Sequence, residues 1–449
     1  MSGSLTLWVI ATSSLLFFNA CGQSQSQSQS ADLPIEHVVI IVQENRTPDN
    51  LFHGLPGADI ATSGFNSKGQ KIPLTPETLA SDYDLDHSHT AFLNMYDKGK
   101  MDGADQIGVA DNRRSLCPRD PDACPPPPPN PQFKYVPPSE VVPYFQLAEE
   151  YTFGDRMFQT NQGPSFPAHQ FLISGTSAPT QTSDLFASSN PGGVLNSGND
   201  TGCTAPPREI VALIDPTGNE DHFQYPCFDH RTLTDLLDAK GISWAYYTPS
   251  AGSIWTAPNA ISHMRFGTDW TRVILEPVPS PIFSAIARGE IPSVSWVIPT
   301  GQASDHAGGN NGTGPAWVAD LVNAIGESSL WPHTAIFILW DDWGGWYDHV
   351  APPIYNSYEY GFRVPLLVVS PYAKHGYISH VTHDFGSILK FVETNFNLAN
   401  LGYADARADD LSDCFDFTQT PTPFRPVFTP LDTNHFLREK SLPTDPDDD

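Results

Sequence analysis

The fragment Ile336 to Val350, IFILWDDWGGWYDHV, ends an apolar β-type run abruptly in two adjacent carboxylates, Asp341 and Asp342. No basic residue stands beside them in sequence, and a buried strand that releases two acids together presents them to a cation. The run HVVIIVQ, from His37 to Gln43, ends the same way, in Glu44 and Asn45. A single solvated loop acid needs no explanation. Two strand ends that both offer oxygen ligands do. In open parallel sheets ligands gather beyond the carboxyl ends of the strands, so segments almost three hundred residues apart can meet at one edge.

A third segment, Gln162-Gly163-Pro164-Ser165-Phe166-Pro167, leads into an apolar pattern through Ala168, Phe171, Leu172 and Ile173. Pro167 suits the first turn of a helix, which puts Ser165 at the helix N-terminus, where unpaired amides and the dipole favour a phosphate or an oxyanion. Taken alone Ser165 reads as an N-cap; beside a bound metal its hydroxyl becomes a nucleophile. Histidines complete the set. His87 and His89 stand in Asp86-His87-Ser88-His89, His306 in Ser304-Asp305-His306, and His349 directly after Asp348. An Asp next to a His can fix its tautomer or raise its pKa. His383-Asp384 is a further pair, with helix capping as its plain explanation.

The elements that must position these groups alternate along the chain. Strands are expected at residues 38–42, 243–247, 293–298, 335–340 and 364–370, several as continuous apolar runs, the pattern of strands covered on both faces. Helices are expected at 232–240, stopped by Gly241, at 317–326, and at 385–396 behind an Asp384 N-cap. This order predicts an α/β fold with a doubly wound, mostly parallel sheet. Long turn-rich insertions interrupt it at residues 54–143, 177–228 and 248–280, the first containing a proline block from Pro125 to Pro129.

The chain of 449 residues carries 23 Lys+Arg against 51 Asp+Glu, a formal charge of −28 that repels polyanions and argues against nucleic acid or an anionic membrane as partner. A phosphate substrate then needs a local positive centre, which a metal held by the acidic strand ends would supply. Residues 1–21 are expected to be an export signal, with Cys21 after Phe18-Asn19-Ala20 as a candidate lipid acceptor; lipoprotein and plain secretion both fit, and periplasm, cell surface or exterior follow. Residues 22–34, with the QSQSQSQS run, read as a flexible linker, residues 35–440 as one domain, and residues 441–449 as a disordered acidic tail. Export permits disulfides, and the local pairs Cys117 with Cys124 and Cys203 with Cys227 are candidates. Cys414 is left over.

Together, Glu44-Asn45-Arg46, Gly163-Pro164-Ser165-x-Pro167, Asp305-His306, the stretch Asp341-Asp342-Trp343-Gly344-Gly345-x-Tyr347-Asp348-His349-Val350 and Arg363-Val364-Pro365-Leu366 resemble the phosphoesterase family of bacterial phospholipases C and related bacterial acid phosphatases. The resemblance runs over residues 35–398. It implies an alkaline-phosphatase-like fold, one bound divalent metal ion and a covalent phosphoserine step. By position, Glu44, Asn45, Asp341, Asp342 and the Ser165 oxygen would hold the metal, with Ser165 as nucleophile. His87, His306 and His349 would surround the phosphate, and His89, Asp305 and Asp348 would contact substrate. Many phospholipases C carry threonine at the nucleophile position and further β-rich C-terminal domains. With serine and a short C-terminal region, this chain looks closer to the acid phosphatases.

The expected activity is hydrolysis of a small phosphate ester. A phospholipase C acting on a lipid head group is the second reading, with Trp343, Trp346 and Tyr347 as either a choline cage or core packing. A cell-surface binding protein that keeps the metal for structure alone is the third. Oxygen ligands suit calcium, magnesium or manganese, and the nearby histidines keep zinc and iron open.

Overall fold

Eight strands build the central sheet of the computed structural model, which describes residues 1–3, 33–109, 126–192, 200–275 and 280–438. They are β1 (His37–Gln43), β2 (Thr152–Gly154), β3 (Trp244–Thr248), β4 (Val273–Leu275), β5 (Val294–Val297), β6 (Thr334–Trp340), β7 (Leu366–Val369) and β8 (Tyr377–Ser379). Their order across the sheet is β4-β3-β5-β1-β6-β7-β2-β8. Pro34–Asp449 forms one compact unit, and Met1–Leu33 is assigned to another. The apolar segment up to Ala20, Cys21, the Ser/Gln run, the Cys117 and Cys124 pair and the acidic tail lie outside the described residues.

β1 and β6 occupy the middle because β-branched and aromatic side chains fill both of their faces; every residue of β6 is buried. Helices supply the cover. In α1 (His89–Tyr96), α2 (Val142–Glu150), α3 (Ser165–Ser174), α4 (Leu233–Lys240), α5 (Pro281–Arg288), α6 (Gly314–Gly326) and α7 (Phe385–Asn395), the ends follow local chemistry. Thr232 and Asp235 close a capping box on α4, Asp384 and Ser387 close one on α7, and α4 stops at Gly241 with φ 70°.

Register shows that both faces are covered. Trp296 and Phe337 are both paired with Ile40 and so share a face with it; on that face Trp296 donates to Leu172 O of α3 (3.2 Å) and Phe337 meets Phe391 of α7 with ring centroids 5.0 Å apart. Three residues further along β6, Trp340 points the other way and meets Tyr144 of α2 at 5.2 Å. The expected doubly wound α/β sheet is therefore present.

Seven strands run one way and β7 runs against them, pairing antiparallel with β6 and with β2. This reversal has a consequence for the site. The loop 341–365 leaves β6 and enters β7 at the same edge of the sheet, so the whole Asp341 to Arg363 segment stays there. Strands β2, β4 and β8 have three residues each, too short for a period to show in the sequence.

The insertions are more ordered than their composition suggests. Residues in 54–143 form two small strand pairs and α1, and Tyr83, Leu85, Phe92, Met95 and Phe133 pack with Trp343 and Trp346 into a second apolar cluster. The insertion 177–228 holds a three-stranded sheet and a Cys203–Cys227 disulfide; Cys414 is free and buried. No helix among the described residues is long and apolar enough to cross a membrane.

Candidate active site

Gln43 and Trp340 are partners at the ends of β1 and β6, so the next residues, Glu44 and Asp341, emerge side by side. Asp341 N donates to Gln43 O (2.9 Å), Asn45 N donates to Asp341 Oδ1 (3.1 Å) and Arg46 N donates to Asp342 O (3.0 Å). The chain turns sharply at both tips. Asn45 has φ 62°, a left-handed conformation that Asn tolerates better than most residues, and Gly344 has φ 61°. A Cβ on Gly344 would stand 2.3 Å from Asn45 O, so only glycine lets the second tip approach the first. Gly344 N then donates to Asp342 Oδ1 (2.7 Å).

Ser165 opens α3, and its hydroxyl donates to Asp342 Oδ2 (3.2 Å). The loop before it is held from two sides. Asn161 Nδ2 donates to Gly163 O (3.0 Å), while Gln159 donates to the same carbonyl (3.0 Å) and accepts from Trp343 N (3.0 Å). The Ser165 loop and the Asp341-Asp342 tip are thus tied through one glutamine. Glu44, Asn45, Asp341, Asp342 and Ser165 are all fully buried.

His87 Nδ1 donates to Leu85 O (2.8 Å), which fixes the ring so that Nε2 faces Asn45 Nδ2 at 3.2 Å and Asp342 Oδ2 at 3.9 Å. His306 is anchored in the same manner, through Nδ1 to Ala307 O (2.6 Å), and its ring stands edge-on to His87 with centroids 6.1 Å apart. His169, one turn beyond Ser165 on α3, places Nε2 at 3.3 Å from Glu44 Oε1 and 3.8 Å from Asp341 Oδ2. Sequence reasoning missed it. The i, i+4 spacing from Ser165 was the available signal, obscured by the apolar residues around it.

The donor set fits a divalent cation. Three buried carboxylates, an amide oxygen and a hydroxyl stand at the two strand tips and the start of α3, and Glu44, Asp341 and His169 offer ligand atoms within 4.8 Å of one another. Asn45 Oδ1 and Asp341 Oδ2 are buried without a hydrogen-bond partner among the described residues, which is costly unless something else binds them.

The remaining sequence-predicted residues fall elsewhere. His349 joins a second cluster, with Nδ1 at 2.8 Å from Asp49 Oδ2 and Nε2 at 3.1 Å from Asp59 Oδ1. Burial lowers its pKa, but the hydrogen bond and charge of Asp49, with Asp348, outweigh that and lift it to about 9. Both ring nitrogens have carboxylate partners, so the geometry favours an ion-pair role over the phosphate contact expected for it. Asp348 is bound by Arg363 Nε (3.0 and 3.1 Å), and burial pushes its carboxyl up to about 6. Asp305 accepts from Tyr144 (2.8 Å) and Trp340 Nε1 (2.9 Å) and braces β6 from below; burial raises it, too, to about 6. Fixed donors thus hold Asp348 and the Oδ2 oxygen of Asp305, while Asp305 Oδ1 has no hydrogen-bond partner among the described residues. His89, the first residue of α1, binds Glu220 Oε1 through Nδ1 (3.0 Å), and its Nε2 has no hydrogen-bond partner among the described residues. Trp343, Trp346 and Tyr347 are buried in the second apolar cluster, with Arg46 over Trp346 at 5.0 Å, so they are core packing.

Fold and site together define a doubly wound α/β protein in which a helix N-terminal serine faces an acidic, oxygen-rich centre at the carboxyl edge of the sheet. The chain belongs to the phosphoesterase family, whose profile matches residues 35–399. It is 24% identical over 448 positions to the non-hemolytic phospholipase C of Pseudomonas aeruginosa, covering 85% of this chain and 57% of that protein. It is 24% identical over 461 positions to phospholipase C B of Mycobacterium tuberculosis, covering 87% and 80% respectively. A solved structure of an alkaline phosphatase superfamily protein from Vibrio parahaemolyticus aligns with 86% of this chain and 73% of that one, at 10% identity and a TM-score of 0.39. That score adds nothing to the fold assignment, which rests on the sheet itself. The chain thus spans little more than half the length of the Pseudomonas relative.

Proposed function

We propose that the protein hydrolyses phosphate esters through a phosphoserine intermediate at Ser165. The observation that carries this reading is the 3.2 Å hydrogen bond from Ser165 Oγ to Asp342 Oδ2, made at a helix N-terminus and beside the Glu44, Asn45 and Asp341 tips. A divalent cation held by Glu44, Asn45, Asp341, Asp342 and the Ser165 oxygen would stabilise the alkoxide and polarise a phosphoryl oxygen.

The residues divide the work. Ser165 Oγ passes its proton to Asp342 Oδ2, which accepts its hydrogen bond, and attacks phosphorus in line, forming the Oγ–P bond as the ester P–O bond breaks. The N-terminal end of α3 brings the positive end of its dipole to Ser165, while Phe166 N donates to Asn190 Oδ1 (3.0 Å), Pro167 has no N–H and Ala168 N donates to Pro164 O. His87 and His306, each fixed through Nδ1 to a backbone carbonyl, exchange a proton through Nε2 with the leaving oxygen. Water then attacks phosphorus, the Oγ–P bond breaks, and Ser165 recovers a proton. Asn161 and Gln159 keep the serine loop in place throughout.

A small phosphomonoester is the preferred substrate. The aromatic residues considered as a choline cage, Trp343, Trp346 and Tyr347, are committed to the core, which supports this choice. The names of the Pseudomonas and Mycobacterium relatives favour the second reading, a phospholipid phosphodiester. Parallel assays on p-nitrophenyl phosphate and phosphatidylcholine separate the two: faster monoester turnover is expected, and a clear preference for the lipid diester overturns it.

A further inference from the structure

Among the candidate ligands, His169 supplies chemistry that the sequence motifs do not: a nitrogen. It sits on α3, a helix whose ten residues are all buried, and its ring is cut off from water. The i, i+4 step from Ser165 puts both side chains on one face of that helix. The same rigid turn therefore carries the nucleophile and an imidazole toward the acidic tips.

We infer that His169 Nε2 is a ligand of the cation bound at this centre, and that the centre in consequence selects an imidazole-accepting transition ion, zinc or iron, over calcium and magnesium. The inference rests on the proposed function, because it takes a metal centre as its premise.

Three observations support it. Nε2 lies 3.3 Å from Glu44 Oε1 and 3.8 Å from Asp341 Oδ2, so it faces oxygens from both strand tips. Atoms bound at about 2.0–2.2 Å to one ion stand roughly 3–3.6 Å apart at tetrahedral or octahedral angles, close to these spacings. Second, Asp341 Oδ2 has no hydrogen-bond partner among the described residues, and His169 at 3.8 Å does not supply one; an ion shared by the two side chains would satisfy it by coordination. Third, Glu44, Asn45 and Asp341 alone form an oxygen set, which suits the hard ions. An added imidazole moves the preference toward zinc and iron.

The test uses the full chain, stripped with chelator, and the variants His169→Ala and His169→Asn, the latter keeping a polar group of smaller size should the alanine variant not fold. Zinc, calcium and magnesium are titrated calorimetrically, and zinc-edge X-ray absorption counts imidazole scatterers. The wild type is expected to hold zinc at least ~100-fold more tightly than calcium, and His169→Asn to lose roughly 100-fold in zinc affinity while calcium changes by less than about 3-fold. One imidazole shell should vanish from the spectrum. An unchanged zinc-to-calcium ratio, or a variant spectrum that keeps the same imidazole count, overturns the inference. Wild-type protein that binds none of the three ions overturns the proposed function instead, so the two failures are distinct.

Discussion

The Ser165 hydroxyl and Asp342 Oδ2 are 3.2 Å apart although the two residues are separated by 177 positions. The carboxylate is held at its other oxygen by Gly344 N at 2.7 Å, so only one oxygen is turned toward the serine. A helix N-terminus and a strand end, each rigid, meet at this pair.

Replacing Ser165, the proposed nucleophile, tests that relationship most directly. Ser165→Ala removes one hydroxyl from a fully buried position and leaves its packing intact. Hydrolysis of p-nitrophenyl phosphate should fall by at least ~10³-fold, and stability by no more than about 1 kcal/mol. Full turnover in a folded variant excludes the phosphoserine route.

Gly344→Ala should damage the same site through the backbone. The residue has φ 61°, and its Cβ would lie 2.3 Å from Asn45 O. The two acidic tips must then separate. A loss of about 2 kcal/mol or more in urea unfolding is expected, together with weaker metal retention, read by elemental analysis after dialysis. A variant with unchanged stability and metal content shows that the tips can tolerate a side chain between them.

Arg363 is fully buried, donates to Asp348 at 3.0 Å and reaches Asp49 at 3.3 Å. Arg363→Leu leaves buried Asp348 without its cationic partner, while Asp49 keeps His349, and should cost about 3–5 kcal/mol. Arg156, whose side chain is 40% exposed beside Asp59, serves as the control. Its replacement by Ala should change stability by less than about 1 kcal/mol. Chemical denaturation of both variants decides whether burial separates these ion pairs as stated.

The pH response follows from His349. Its folded pKa, about 9, lies above the ordinary histidine value, so its ion pairs stabilise the protein fully below about pH 6.5 and fade as pH rises through 9. The contribution is on the order of 2 kcal/mol after allowing for partial exposure. Other raised groups, such as His263 at about 9, titrate there too. The difference between wild type and His349→Gln isolates the one imidazole. That difference in Tm should shrink from pH 6 to pH 10, and a flat difference contradicts the assignment.

Much of the site was readable beforehand because its signals are local. Continuous β-branched runs announce doubly covered strands, and an abrupt switch to Glu44-Asn45 or Asp341-Asp342 marks where each run leaves the sheet. Ser165 was readable for the same reason, since a proline two residues later fixes a helix start. His169 was hidden, because in an entirely buried helix no periodic polar face distinguishes a ligand from its apolar neighbours. The fate of His349 was hidden as well. Its partners Asp49 and Asp59 lie 300 and 290 residues away and arrive through the loop that follows β1.

The amino-acid order by itself determined where the longer strands and the capped helices form and which oxygen donors stand where β1 and β6 end, since those depend on steric preference, capping and polarity over a few residues. Only the tertiary structure decided partnership. The parallel pairing of β1 with β6 sets Glu44 beside Asp341, and the reversed β7 returns Arg363 to the same edge. Burial then favours the pairing of a carboxylate with whichever donor lies within hydrogen-bond reach. That competition sorted Asp342 toward the serine and left Asp348 with an arginine.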